Sequence, residues 1–406
     1  MINKIKRFLI KFLIKKKKKN NFNNIKIEKC LLETSCQIGD CVILSPLLES
    51  LSKLNDEKIE IDIIVQNNSM EILKYYPYIK NIYPYRKYKN KLLRYVYNFY
   101  FALKNRKKYD LVISYEKGIN TFHMLYLKVL NPKYLISSRK KVKYGITENE
   151  LEIYDFFFEN NKEIMKKLNL KLETQYKIYL GSFEEIAKKF YNKNRINVIF
   201  NYIGSKKERI IPKGEVIEIL KDLSFDNIDI DFFLSSIPSK YDENKLIIEE
   251  VNRNNVKLLP KTNNIFEIAS YIKYSDIVIS VDTSIVHIAS AYNKLILGIY
   301  AKKDNIKQHA LPNCDNWEII ESPYKILIKE LDIELIKEKF KILREQRAES
   351  REQRAESREQ RAESREQRAE SREQRAESRE QRAESREQRA INFNIFKSNY
   401  KVKKVA

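Results

Sequence analysis

The feature that most constrains the fold is a recurrence between residues 26 and 330. Short runs rich in Ile, Val and Leu alternate there with longer segments of helical period. The strand-like runs are 27–34, 59–65, 110–115, 196–202, 228–234, 276–281 and 295–300. Helical patterns fall at 43–54, 91–107, 155–169, 214–223, 241–253, 264–274 and 285–292. Near-continuous apolar strands separated by helices predict parallel sheets covered on both faces. The run FEEIAKKFYNKNR, followed by a fresh strand at 196, reads as a junction, so the boundary between two α/β halves is placed near 190. A ligand of such a protein is expected at the C-terminal ends of the strands, in the cleft between halves.

The ends of the chain are of another kind. Residues 1–19 carry nine basic and no acidic side chains, and Ile5, Phe8, Leu9, Phe12 and Leu13 recur at helical spacing. A basic amphipathic helix of this sort suits an anionic membrane surface, and equally a docked or solvated end. Its apolar stretches are too short to span a bilayer or to serve as a signal peptide. Residues 344–390 are six copies of REQRAES followed by REQRA. Ala is the sole apolar residue of each repeat, so no coiled-coil seam exists. Like charges, not Glu–Arg pairs, meet at spacings of three and four. The segment is expected to be a solvated helical or disordered spacer without a catalytic role. A basic tail, 391–406, follows.

Of the net charge of +23, the leader supplies nine, the repeat one and the tail four, which leaves +9 for residues 20–343. A nucleic-acid binder more often carries its surplus on the folded body. Cys30, Cys36, Cys41 and Cys314 form no C-x-x-C pair, and the chain has only three His. Reduced thiols and no metal centre are the expectation.

Three segments carry candidate chemistry. The first is SCQIGDC, residues 35–41, between the first strand and its helix. Gly39 permits a tight turn with close backbone approach, and Asp40 falls at a helix N-terminus. Asp40 is a candidate general base for a hydroxyl, or a plain helix cap. The second is SVDTSIVHIASA, residues 280–291, where a buried strand runs into Asp282, Thr283 and Ser284 ahead of a small-residue helix holding His287. Its free amides make an anion site that suits a diphosphate, or simply a capped helix with His287 packed inside. The third, Asn201 to Arg209, offers Gly204, Ser205, Lys206, Lys207 and Arg209 as a glycine turn with phosphate-seeking cations, or as an ordinary basic loop. Asp229-Ile230-Asp231 resembles an Asp-x-Asp metal motif, but the alternation of IDIDFFL explains it as strand patterning.

These residues carry a family resemblance. QIGDCVILSPLLESL resembles the N-terminal signature of the heptosyltransferase family (glycosyltransferase family 9). SVDTSIVHIASAYNKLILGIY resembles that family's donor-site signature, and the likeness covers roughly residues 26–330. It implies a GT-B fold, two Rossmann-like domains facing across a cleft: an acceptor-side domain over 26–190 and a nucleotide-sugar-binding domain over 191–343, after a leader over 1–25. It implies inverting, metal-independent sugar transfer from a nucleotide-diphosphate sugar, typically ADP-heptose, to a lipid-linked lipopolysaccharide core acceptor on the cytoplasmic face of the inner membrane. Apart from the sugar nucleotide no cofactor is implied. By position Asp40 resembles the catalytic base, with Gly39 in the acceptor-side loop. Asp282, Thr283, Ser284 and His287 resemble the donor site, Lys206 or Lys207 the phosphate-side lysine, and Asp242 or Glu243 a nucleoside contact. The family usually has Gly where Ser284 stands and a Gly-Pro-Thr-like turn where residues 301–304 stand. Two other classes stay open from sequence: a degenerate nucleotide-sugar-binding protein without catalysis, and a nucleic-acid-associated protein.

Overall fold

A computed structural model describes residues 26–54, 59–85, 89–115, 121–138, 149–153 and 157–302, and then 310–402. The basic leader lies outside the described residues, as do positions 303 and 304 of the turn noted above. The first half runs β1 (Lys29–Glu33), α1 (Ile38–Ser52), β2 (Glu60–Val65), β3 (Ile79–Pro84), α2 (Lys91–Lys104), β4 (Leu111–Ser114), α3 (Thr121–Leu130), β5 (Tyr134–Ser138), β6 (Asn149–Ile153) and α4 (Phe157–Lys167). The second runs β7 (Ile196–Asn201), α5 (Lys213–Asp226), β8 (Ile230–Leu234), α6 (Tyr241–Val251), β9 (Val256–Leu258), α7 (Ile265–Tyr274), β10 (Ile277–Val281), α8 (Ser284–Ala291), β11 (Leu295–Ala301), β12 (Trp317–Ser322) and α9 (Ile333–Val402).

Each half builds one parallel six-stranded sheet. The orders are β3-β2-β1-β4-β5-β6 and β12-β11-β10-β7-β8-β9. Counted from the first strand of each half, both are the doubly wound order 3-2-1-4-5-6. Its topological switch point, where ligands bind, lies between the first and fourth strands. Those strands are β1 and β4 in one sheet and β7 and β10 in the other.

The apolar runs explain the layers. In β1, Cys30 and Leu32 enter one core and Leu31 enters another on the opposite face. In β7, Val198 and Phe200 face one core while Ile199 faces the other. Each such fully buried aliphatic side chain stabilises the fold by about 1.5–3 kcal/mol. The largest core runs from one half to the other: Val42, Leu44 and Leu48 of α1 share it with Val286 and Ile288 of α8. The segment between the halves joins it through Tyr176, Leu180 and Tyr191. Backbone bonds fasten this segment to both sides, Lys177 N–H to Ser45 Oγ at 2.8 Å and Ala187 N–H to Ser270 Oγ at 3.2 Å.

The start of α9 belongs to the second half, with Ile336, Phe340 and Leu343 in its core. Residues Arg344–Ala406 form a separate unit. The helix continues unbroken through the repeats. This is the helical of the two expected states, and two effects favour it. Ala, Arg, Glu and Gln are good helix formers, and extending a helix already started by a packed turn avoids the unfavourable nucleation step.

Candidate active site

The loops after β1, β7 and β10, two lobes and three switch-point strands, carry the three candidate motifs. The first opens α1. Gln37 is its N-cap, and Asp40, at the third helical position, accepts a hydrogen bond from the Gln37 N–H at 3.0 Å. This reciprocal capping box starts the helix at Ile38, ahead of the position 43 suggested by periodicity. Asp40 therefore has a helix-end role as well as a place at the surface. It is half-buried, and among the described residues no cation pairs with its carboxylate.

Gly39 meets the other lobe. A Cβ at this position would lie 2.8 Å from His287 Cδ2 and 3.3 Å from Ser284 Cα. Only a residue without a side chain lets the start of α1 approach the first turn of α8 so closely. The structure thus brings Gly39, the residue before Asp40, from one lobe against Ser284 and His287 from the other. His287 is 7% exposed, and the buried Tyr176 ring stands edge-on to it at 6.3 Å.

At α8 the N-cap is Thr283, in extended conformation, and its hydroxyl makes no capping hydrogen bond. Thr283 and Ser284 are half-buried; the Val286 N–H bonds the Thr283 carbonyl at 3.2 Å, and the amides of Ser284 and Ile285 are left uncapped by the Thr283 side chain, the kind of helix start that attracts an anion. Asp282 just before them is buried and committed. Arg209 Nη1 lies 3.2 Å from its Oδ2 and donates to its backbone oxygen at 3.2 Å. By sequence Arg209 groups with Lys206 and Lys207 as a phosphate-seeking cation. The structure instead uses it to tie the β7 loop to the β10 loop. Gly204 fits this tie, because a Cβ there would sit 2.5 Å from Arg209 Cβ and 2.6 Å from its backbone oxygen. Ser205, Lys206 and Lys207 remain exposed on the same loop, and among the described residues neither lysine has a carboxylate partner.

A polar network fixes the strand ends beneath. Asn201 Nδ2 donates to Ser280 Oγ at 3.0 Å and its Oδ1 accepts from Ser235 Oγ at 3.0 Å. The Tyr202 hydroxyl donates to Asn244 Oδ1 at 2.5 Å. Burial, with the charge of Glu243 adding, pushes the Tyr202 phenol up to about 12, so it stays a donor at neutral pH. Glu243 pairs with Lys240, and Asp242 reaches into solvent against Lys245. Among the described residues neither carboxylate is ion-paired or hydrogen-bonded to the Asp40 or Thr283 turn. Asp231 is held by Arg195 at 2.8 Å and Lys257 at 2.9 Å at the opposite end of its sheet, as a strand residue. All four cysteines are free thiols, and burial pushes Cys314 up to about 12.

A cluster that periodicity did not reveal sits on the far face of the first sheet. Buried Glu33 lies 3.5 Å from His123 Nε2, which is 3.3 Å from Ser114 Oγ. Glu33 and His123 line a cavity of about 30 Å³ with Tyr83, Tyr97 and Tyr126, room for one water. Strand alternation was the available signal: Leu31 and Glu33 share a face of β1.

Two doubly wound parallel sheets whose switch-point loops approach each other through Gly39 and Ser284 define a two-lobed α/β architecture of the GT-B type. The profile described as glycosyltransferase family 9 (heptosyltransferase) matches residues 137–361, and the chain belongs to that family. It is a glycosyltransferase. The matched stretch begins later than the likeness read from sequence: it leaves out QIGDCVILSPLLESL and runs into the repeats. Over 365 residues the chain is 26% identical to an Escherichia coli (strain K12) protein provisionally named lipopolysaccharide heptosyltransferase 4, covering 84% of this chain and 95% of that one. Solved structures share the fold. A family 9 glycosyltransferase from Veillonella parvula superposes with a TM-score of 0.61 at 12% identity, over 78% of this chain and 97% of that one. E. coli heptosyltransferase WaaC, solved with ADP-2-deoxy-2-fluoro heptose, gives 0.58 at 17%, over 76% and 98%.

Proposed function

We propose that the chain is an inverting, metal-independent glycosyltransferase that moves a heptose-like sugar from a nucleotide-diphosphate donor, of the ADP-heptose type, to a saccharide acceptor of the lipopolysaccharide core. The donor class is suggested by the fluorinated ADP-heptose held in WaaC, and the acceptor class by the name of the E. coli relative. The observation that carries the reading is the approach of Gly39, the residue before the half-buried Asp40, to Ser284 and His287 at the uncapped start of α8.

In this reading the Asp40 carboxylate takes the proton of an acceptor hydroxyl. The oxygen attacks the anomeric carbon from the face opposite the diphosphate. The bond to the diphosphate oxygen breaks, and its electron pair leaves with the diphosphate. The amides of Ser284 and Ile285, with Lys206 and Lys207, hold that growing charge in place. Arg209 keeps the two donor loops in register by binding Asp282. The lysine-rich residues 1–19 hold the enzyme at the cytoplasmic face of the membrane, where a lipid-linked acceptor is concentrated. No helix among the described residues is long and apolar enough to cross a membrane.

The test is a donor screen with ADP-, GDP- and UDP-sugars, read by thermal shift and turnover with and without excess chelator, with NMR of the product's anomeric proton. Transfer that inverts the anomeric centre and persists in chelator is expected. Retention of configuration, or strict metal dependence, would contradict the mechanism.

A further inference from the structure

Helix α2 is apolar on the wrong side. Phe101 and Ala102 are buried against the sheet and fix the inward face. On a 3.6-residue turn Leu92, Val96, Phe99 and Leu103 line up on the opposite face, flanked by Leu93 and Tyr100. Those residues are 70%, 60%, 40% and 50% exposed, and Leu93 and Tyr100 are 52% and 61% exposed. Phe122, 49% exposed, continues the patch from the start of α3, stacked on Tyr95 with centroids 4.4 Å apart. A contiguous patch of this kind, unlike single exposed leucines, marks a surface that meets something apolar.

Its rim tells what. Residues 86–108 carry nine Lys and Arg and no Asp or Glu, equal to the whole +9 surplus of residues 20–343. Lys108 is spent on Asp62 at 3.0 Å. Lys89, Arg94, Lys104, Arg106 and Lys107 have no carboxylate partner among the described residues. A second copy of the chain would bring the same unpaired cations against them, so self-association is disfavoured by like charge. An apolar stripe rimmed by cations fits an acyl layer beneath anionic headgroups.

We propose that the outer face of α2, with Phe122, seats the folded body on an anionic lipid bilayer, independently of the leader. The stripe enters the headgroup–acyl boundary, and the flanking cations lie among lipid phosphates.

The experiment uses the full chain, so the leader is common to every sample. Co-sedimentation with phosphatidylglycerol and phosphatidylcholine vesicles compares the native chain with V96D/L103D. Partition onto phosphatidylglycerol is expected to fall at least about tenfold in the variant. A second variant, V96W, places a reporter in the stripe beside the native Trp317. Its emission is expected to shift to the blue on anionic vesicles and to be quenched by brominated lipid. Unchanged partition of V96D/L103D, or no shift in V96W, overturns the proposal. So does equal binding to phosphatidylcholine vesicles. A native dimer that V96D/L103D converts to monomer, with vesicle binding unchanged, assigns the stripe to a second copy instead. Sugar transfer to a soluble acceptor stays unchanged in V96D/L103D. A chain that binds vesicles yet transfers no sugar would count against the transfer reaction and leave this surface standing.

Discussion

The two lobes have the same strand order, and both place loops at the same switch point, yet they fill it with opposite chemistry. In the second lobe the loops after β7 and β10 gather Lys206, Lys207 and the uncapped start of α8. Arg209 cancels the one buried carboxylate there. In the first lobe the start of α1 presents Asp40, and among the described residues no cation pairs with its carboxylate. Shared topology sets where the loops gather, and a few side chains decide whether that place offers lysines or a carboxylate. On its outer surface the first lobe also exposes the apolar, cation-rimmed face of α2.

The sharpest way to break this contrast is to erase the carboxylate. Asp40→Asn is expected to lower turnover by about a thousandfold. Nucleotide-diphosphate affinity, measured by calorimetry, should hardly move, and near-normal turnover would remove the base from the first lobe. Next comes the anion side. Lys206→Ala with Lys207→Ala is expected to weaken nucleoside-diphosphate binding by about a hundredfold, since charge-assisted hydrogen bonds are worth about 1.5–3 kcal/mol each. Unchanged affinity would move the phosphate elsewhere. Gly39→Ala probes the meeting of the lobes. Its Cβ would fall 2.8 Å from His287 Cδ2, and overpacking of this kind costs about 1–3 kcal/mol. Turnover about tenfold lower, with a lowered Tm, is the expected result. The smallest effect belongs to the repeats: deleting residues 351–390 should leave turnover unchanged and Tm within about 2 °C.

Central strands were legible because both of their faces are buried, so β1, β2, β4, β7, β8, β10 and β11 read as apolar runs. The strands that escaped were β3, β6, β9 and β12, the sheet edges, together with β5 beside one of them. An edge strand is covered less, so it carries polar residues such as Lys80 and Asn81 in β3 or Glu318 and Glu321 in β12, and its pattern blurs. Helix α3 escaped because TFHMLYLKVL is apolar nearly all round. At the site, Asp40, Thr283 and the Lys206 loop were visible as residues following strands. The tie between Arg209 and Asp282, and the fit of Gly39 against α8, were not. Both depend on which strands lie side by side and on how two lobes close, and neither leaves a local spacing in the chain.

The account rests on a proton acceptor in one lobe facing a diphosphate held by the other. A crystal structure of the chain with a non-transferable nucleotide-diphosphate sugar tests it most directly. The expected result is a diphosphate bonded to the Ser284 and Ile285 amides, with Lys206 or Lys207 on its oxygens and the anomeric carbon turned toward Asp40. A diphosphate bound away from α8, or a sugar with its anomeric carbon facing away from Asp40, would contradict it.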